Sequence, residues 1–444
     1  MIALLFAALL PFDSGLMALA QGRQDPEWKA GLASVKITPE VSVHLAGYAA
    51  RDKPFERVVA DVHAKALCLE DSKGRRAILL TADVIGWNVN VAEPVVARIM
   101  EKTGLPREAI LLNASHNHSG PRLSLAGTPR ENIPEGEILK SLAYTNSFQE
   151  KAVAVAVEAA GRLRPARLSW GTGSVGFVTN RRNAEGPTDR SVPVLRIDGA
   201  DGRLRGAVFG SACHNTTLTA KSYDLCGDYA GFAQAWLEAK EAEIQAMFLM
   251  GCGGDANPEP RGTMELAREH GESLGKEVWR VLSDGKRAAV GGPIVTAFET
   301  VNLPFRKLSK EDAEKLVFDR HASTVAKQIV ALHAAGERIP THYKAPVAVW
   351  QFGTDLTLVA LPGETVADYV QTVGQVLGKD RLWVAGYCND KIGYLPSRRV
   401  AEEGGYEAQG LIKGYGGPGF FAPEAEEVLV RTVKDLAAKA GRKP

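Results

Sequence analysis

Ala109-Ile-Leu-Leu-Asn-Ala114-Ser-His116-Asn-His118-Ser-Gly-Pro121 opens on an apolar run and closes on a polar turn. The run is too short for a helix, and apolar on both faces, so it predicts a strand covered on both sides. The pattern recurs in Ala77-Ile-Leu-Leu-Thr-Ala-Asp83, Leu204 to Cys213, Ala246-Met-Phe-Leu-Met250, 356–361 and 381–386. Residues 293–303 and 346–352 also read as extended. Between these runs, helical spacing predicts helices over 91–103, 146–162, 227–243, 264–282, 364–378 and 423–440. The alternation predicts an α/β fold: one large mixed α/β domain with buried central strands.

The 444-residue chain carries 53 Lys+Arg against 52 Asp+Glu, a net charge of +1. That balance excludes the strong basic surplus of a nucleic-acid binder. With 45% hydrophobic and 24% charged residues, the composition is globular rather than disordered. No repeat or Pro/Ser-rich linker divides the chain. The one compositional shift, 307–340, predicts a long charged helix inserted over a single domain at 26–444. The apolar run from Met1 to Leu10, followed by Ala18-Leu19-Ala20, reads as an export signal over 1–20, although no Lys or Arg precedes it. Later stretches are too short or too polar for a bilayer span. Five cysteines without a C-x-x-C pair form neither a disulfide framework nor a cysteine zinc site.

Chemistry-bearing residues gather where the predicted strands end. His116 and His118 stand two apart. On an extended segment both imidazoles face one cavity, where neutral imidazole suits Zn²⁺; the pair also suits a plain polar turn. Ser211-Ala-Cys-His214-Asn-Thr-Thr places a third histidine at a strand end. Met250-Gly-Cys-Gly-Gly-Asp255-Ala-Asn257-Pro258 reads as an anion nest or as a tight strand-to-helix turn. Glu364, in Leu361-Pro-Gly-Glu364, is either a first-turn helix residue or an oxygen ligand to a metal. Tyr387, Tyr394 and Tyr406 lie in Gly-rich sequence that suits a ligand pocket or an aromatic core.

The segments S-H-N-H-S-G-P, N-R-R at Asn180, A-C-H-N-T, G-G-D-A-N-P, L-P-G-E and N-D-K-I-G-Y-L-P…G-G-Y-E occur in the order seen in the neutral/alkaline non-lysosomal ceramidases. The chain resembles the N-terminal catalytic domain of that family over roughly residues 30–440, and the family's C-terminal immunoglobulin-like domain is expected to be missing. The resemblance implies one zinc ion held by His116, His214, Glu364 and Tyr394. It implies that His118 faces the substrate carbonyl, and that Arg181 and Tyr406 line the same site. In the family a serine, assigned as nucleophile, occupies the position before the proline; here it is Asn257. The resulting expectation is an exported zinc-dependent hydrolase of linear amides, with an N-acyl lipid such as ceramide as substrate and transient contact with a membrane surface. In it, Asp255 or Asn257 positions substrate or the attacking water. The alternatives are a hydrolase of a more polar substrate, such as an acylated sugar or ester, and a catalytically silent zinc-containing binding protein.

Overall fold

The apolar runs are strands, joined by others whose sequences alternate too weakly to be seen. A computed structural model describes residues 27–124, 133–241, 243–283, 285–409 and 418–442; the expected export signal at 1–20 lies outside the described residues. Nine strands form the main sheet. Eight run in the order Gln245–Met250, Leu204–Ser211, Ser191–Gly199, Arg164–Ser174, Trp28–Lys36, His63–Asp71, Arg76–Ala82, Ile110–Ala114, and Ala288–Val290 pairs with Arg164–Ser174. The interior pairings are antiparallel. The two outermost are parallel, Gln245–Met250 on Leu204–Ser211 and Ile110–Ala114 on Arg76–Ala82. A second sheet is formed by Ile294–Pro304, His342–Phe352, Leu356–Ala360 and Leu382–Ala385.

The two sheets share an apolar interior of Trp28, Leu79, Leu195 and Met247 against Trp350, Leu358 and Trp383. The other face of the main sheet is covered by Val89–Thr103 and Glu135–Gly161 at one end, and by Asp228–Glu238 and Met264–Ser283 at the other. Helices Asp368–Leu377 and Ala425–Lys439 cover the second sheet. The central strands are therefore buried on both faces, and the mixed α/β fold is as expected.

Three elements differ from the sequence reading. The segment over 307–340 is two helices, Lys310–Leu316 and Ser323–Ala335. The Asp319 carboxylate breaks them apart by accepting from His321 N and Ala322 N at 2.8 Å each. The helix expected over 364–378 begins only at Asp368, because Glu364 and Thr365 pair in parallel with Tyr394 and Leu395. The helix expected over 146–162 begins at Glu135, after Pro134.

The edges of the main sheet converge through Asn113, a polar residue inside a buried strand. Its Oδ1 accepts from Met250 N at 2.9 Å, while its Nδ2 donates to Gly386 O at 2.8 Å and Met250 O at 3.4 Å. One side chain thus ties the two edge strands to the segment that follows Leu382–Ala385. Three strand ends distant in sequence are brought to one place.

Candidate metal centre

His116 follows directly on that junction. It does not lie on extended backbone, as the i, i+2 argument supposed: its φ is +55°, in the left-handed region that costs a non-glycine residue free energy. The turn aims the ring inward. His116 Nδ1 donates to Ile85 O at 2.8 Å, and His214 Nδ1 donates to Gly253 O at 2.7 Å. A nitrogen facing a carbonyl must carry the proton, so in each neutral ring Nε2 is a bare lone pair. Both lone pairs point at one atom: His116 Nε2 and His214 Nε2 each lie 3.3 Å from Glu364 Oε2. His118 joins them, its Nε2 3.0 Å from His116 Nε2. The ligand atoms of the three histidines all lie within 4.8 Å of one another.

The electrostatics follow from burial. His214 is pushed down to about 3 by burial and then by the Arg181 charge. Burial likewise lowers His116 and, still further, His118. These imidazoles are neutral at pH 7. Burial pushes the Glu364 carboxyl up, and the Lys391 charge pulls it down. Both Glu364 oxygens and His214 Nε2 are buried with no hydrogen-bond partner. Orphaned buried acceptors are costly, at about 1–3 kcal/mol each. Unprotonated imidazoles and a carboxylate converging this way form a donor set that fits a divalent cation of the zinc type, and the carbonyls behind both rings supply the orienting outer bonds such sites use.

The remaining predicted residues divide into two groups. Tyr394 and Arg181 adjoin the histidine cluster. The Tyr394 ring stacks on His214, centroids 6.4 Å apart and 13° from parallel, and its Oη accepts from Arg181 Nη2 at 3.0 Å. Arg181 is fixed by Glu407 Oε1 at 2.8 Å and Gly254 O at 2.9 Å. Asn257 Oδ1 lies 3.5 Å from both Arg181 Nη1 and Thr216 Oγ1. Tyr406 stands at the mouth, 42% exposed, its ring 5.0 Å from Tyr394. Asp255 lies behind the centre: its carboxylate accepts from Ala367 N at 2.8 Å and from Asn180 Nδ2 at 2.9 Å.

Tyr387, φ +55°, one of the three tyrosines singled out in the sequence, lays its ring 4.5 Å from that of His116. Sequence reasoning missed other neighbours. Tyr48 meets the His118 ring edge-on at 4.9 Å. His321, between the two helices of the inserted segment, packs on Tyr406 at 5.5 Å. Position 47 must be glycine, since a Cβ there would sit 2.2 Å from His118 Nδ1. All five cysteines are buried and unpaired.

The model of the neutral/alkaline non-lysosomal ceramidase N-terminal domain matches residues 28–303, well over half of the chain. The chain belongs to that family. The neutral ceramidase of Pseudomonas aeruginosa is 27% identical over 286 residues, 57% of this chain and 40% of that protein. Neutral ceramidase B of Dictyostelium discoideum is 26% identical over 272 residues, 54% of this chain and 36% of that protein. The chain thus matches less than half the length of these ceramidases. In fold, the crystal structure of the Pseudomonas aeruginosa neutral ceramidase superposes with a TM-score of 0.72 at 20% identity, over 94% of this chain and 75% of that one. Glu364, Tyr394 and Tyr406 lie beyond the matched residues 28–303, so their place in the centre rests on the geometry above. Among the described residues no helix is long and apolar enough to cross a membrane.

Proposed function

We propose that this ceramidase-family chain is a zinc-dependent hydrolase of linear amides, acting on an N-acyl lipid such as ceramide. The carrying observation is that His116 Nε2 and His214 Nε2 each lie 3.3 Å from Glu364 Oε2, both rings locked by backbone carbonyls. His116, His214, Glu364 and Tyr394 hold the ion. When bound, zinc supplies a Lewis acid and lowers the pKa of a water from 15.7 to about 7.

The protein groups do the rest. His118, neutral and poised beside His116, exchanges a proton with the substrate amide. Arg181 and the Tyr406 hydroxyl donate to the negative charge that develops on the carbonyl oxygen. Asn257, where the family has serine, orients the substrate through its amide and takes no part as nucleophile. Residues 26–444 act as one catalytic domain, and residues 1–20 direct export. Contact with a lipid surface is supported by Phe318, 92% exposed and three residues from His321, which touches Tyr406 at the mouth. A panel of N-acyl lipids, acyl amino acids and acylated sugars tests the reading: turnover is expected on the lipids first. Turnover of acylated sugars alone would point to the polar-substrate hydrolase, and no turnover of any amide or ester by zinc-loaded protein would point to a silent binding protein.

A further inference from the structure

Lys391, within the N-D-K-I-G-Y-L-P segment, is a buried lysine to which neither composition nor the family resemblance gives a role. It is 4% exposed, and lysines are almost never so buried without a partner. Its Nζ lies 3.9 Å from Glu364 Oε1, whereas the imidazoles address Oε2. The fold builds this approach. Lys391 N donates to Trp87 O, in the same loop whose Ile85 O holds His116. The side chain then crosses Gly86, where a Cβ would sit 2.3 Å from Lys391 Cδ; any other residue at 86 would displace it. At 3.9 Å the contact is electrostatic attraction rather than a close hydrogen-bonded pair. It balances the carboxylate charge and leaves Oε1 open.

We propose that Lys391 is a positioning residue that competes with the bound cation for Glu364 and so sets the affinity of the metal centre. This rests on reading the cluster as a metal centre. With neutral imidazoles, the cluster and Lys391 together carry no net charge, so an arriving divalent cation meets a fixed positive charge within reach of its anionic ligand. The centre therefore binds more weakly than its donor set alone would allow.

The test is zinc affinity by chelator competition at pH 8 for the full chain, as wild type, Lys391→Met and Lys391→Arg. Lys391→Met keeps the stem and removes the charge, and is expected to tighten zinc binding about tenfold or more. Lys391→Arg keeps the charge and should stay within about threefold of wild type. A role in packing alone could not produce a gain in affinity. If Lys391→Met does not fold, Lys391→Gln replaces it with the same expectation. Unchanged or weaker zinc binding in the neutral variant, beside a zinc-binding wild type, overturns this inference and leaves the metal centre standing. A wild type that binds no zinc overturns both.

Discussion

Asp255→Ala should destabilise the protein by about 3 kcal/mol rather than act on chemistry directly. The carboxylate accepts from the buried Ala367 N at 2.8 Å and from Asn180 Nδ2 at 2.9 Å, so truncation leaves two buried N–H groups unpaired. At about 1–3 kcal/mol for each orphaned donor the loss is about 2–6 kcal/mol. Burial raises the wild-type Asp255 pKa; relief of that burial cost moves the expectation to the lower half of the range. Asp255→Asn should lose roughly half as much. One oxygen can still serve Ala367, but an amide N–H then faces Asn180 Nδ2. Asn180 cannot turn to accept it without giving up Pro187 O at 2.7 Å and the amides of Arg182 and Asn183, which its Oδ1 accepts. Because Ala367 lies three residues from Glu364, zinc affinity should weaken in the same order, wild type, Asn, Ala. Urea unfolding of the three proteins, with chelator competition alongside, measures both. An Asp255→Ala protein within about 1 kcal/mol of wild type, yet inactive, would refute the structural assignment and make Asp255 a catalytic group.

Three further outcomes follow from the centre and its mouth. The contribution of these histidines to the stability of chelated protein should be flat above about pH 6.5 and fall as pH drops below it, outweighing the opposite pull of Asp390, whose carboxyl burial pushes up to about 7. The unfolded chain binds protons on histidine near 6.5 while His214, held at about 3, and the similarly lowered His116 and His118 do not. The slope is up to about 1.4 kcal/mol per pH unit for each histidine, and a melting temperature that rises on acidification from pH 7 would contradict it. Asn257→Ala should retain zinc and cost about 10- to 100-fold in kcat/KM, the scale of one or two lost hydrogen bonds; loss of activity as complete as in His116→Ala, with zinc retained, would make Asn257 essential to chemistry. Phe318→Asp should weaken sedimentation with phosphatidylcholine vesicles containing ceramide by about tenfold, as expected for one exposed aromatic ring. It should leave hydrolysis of a short-chain soluble amide unchanged, and equal vesicle binding would remove Phe318 from the lipid contact.

What the sequence revealed depended on how each residue signals itself. Continuous apolar runs such as Ile110–Ala114 and Gln245–Met250 could only be buried strands, and the polar residues after them had to lie at strand ends. Trp28–Lys36, Arg164–Ser174 and Ser191–Gly199 were missed because they mix buried with half-exposed positions and read as ordinary polar sequence. Glu364 was legible as a candidate, but its setting was not. A two-residue pairing with Tyr394 across about thirty positions has no local pattern, and it shifts the following helix to Asp368. His116 and His118 converge through a left-handed turn that no spacing rule anticipates. Lys391 and Asn113 were invisible for the opposite reason, since each belongs to a type normally found in water and only the tertiary structure shows what it pairs with. His321 stands in the charged segment 307–340 with no motif around it; the break between two short helices is what carries it to Tyr406.

The central claim is that one divalent cation at His116, His214 and Glu364 is required for hydrolysis. The most direct measurement is zinc content and N-acyl amide hydrolysis on the same samples of wild type, His116→Ala, His214→Ala and Glu364→Gln, before and after chelation and with zinc restored. One zinc per wild-type chain, loss of zinc and activity together on chelation, recovery of both on addition, and near-absence of both in the three variants are the predicted result. Hydrolysis that persists after complete zinc removal, or variants that keep stoichiometric zinc, would contradict it.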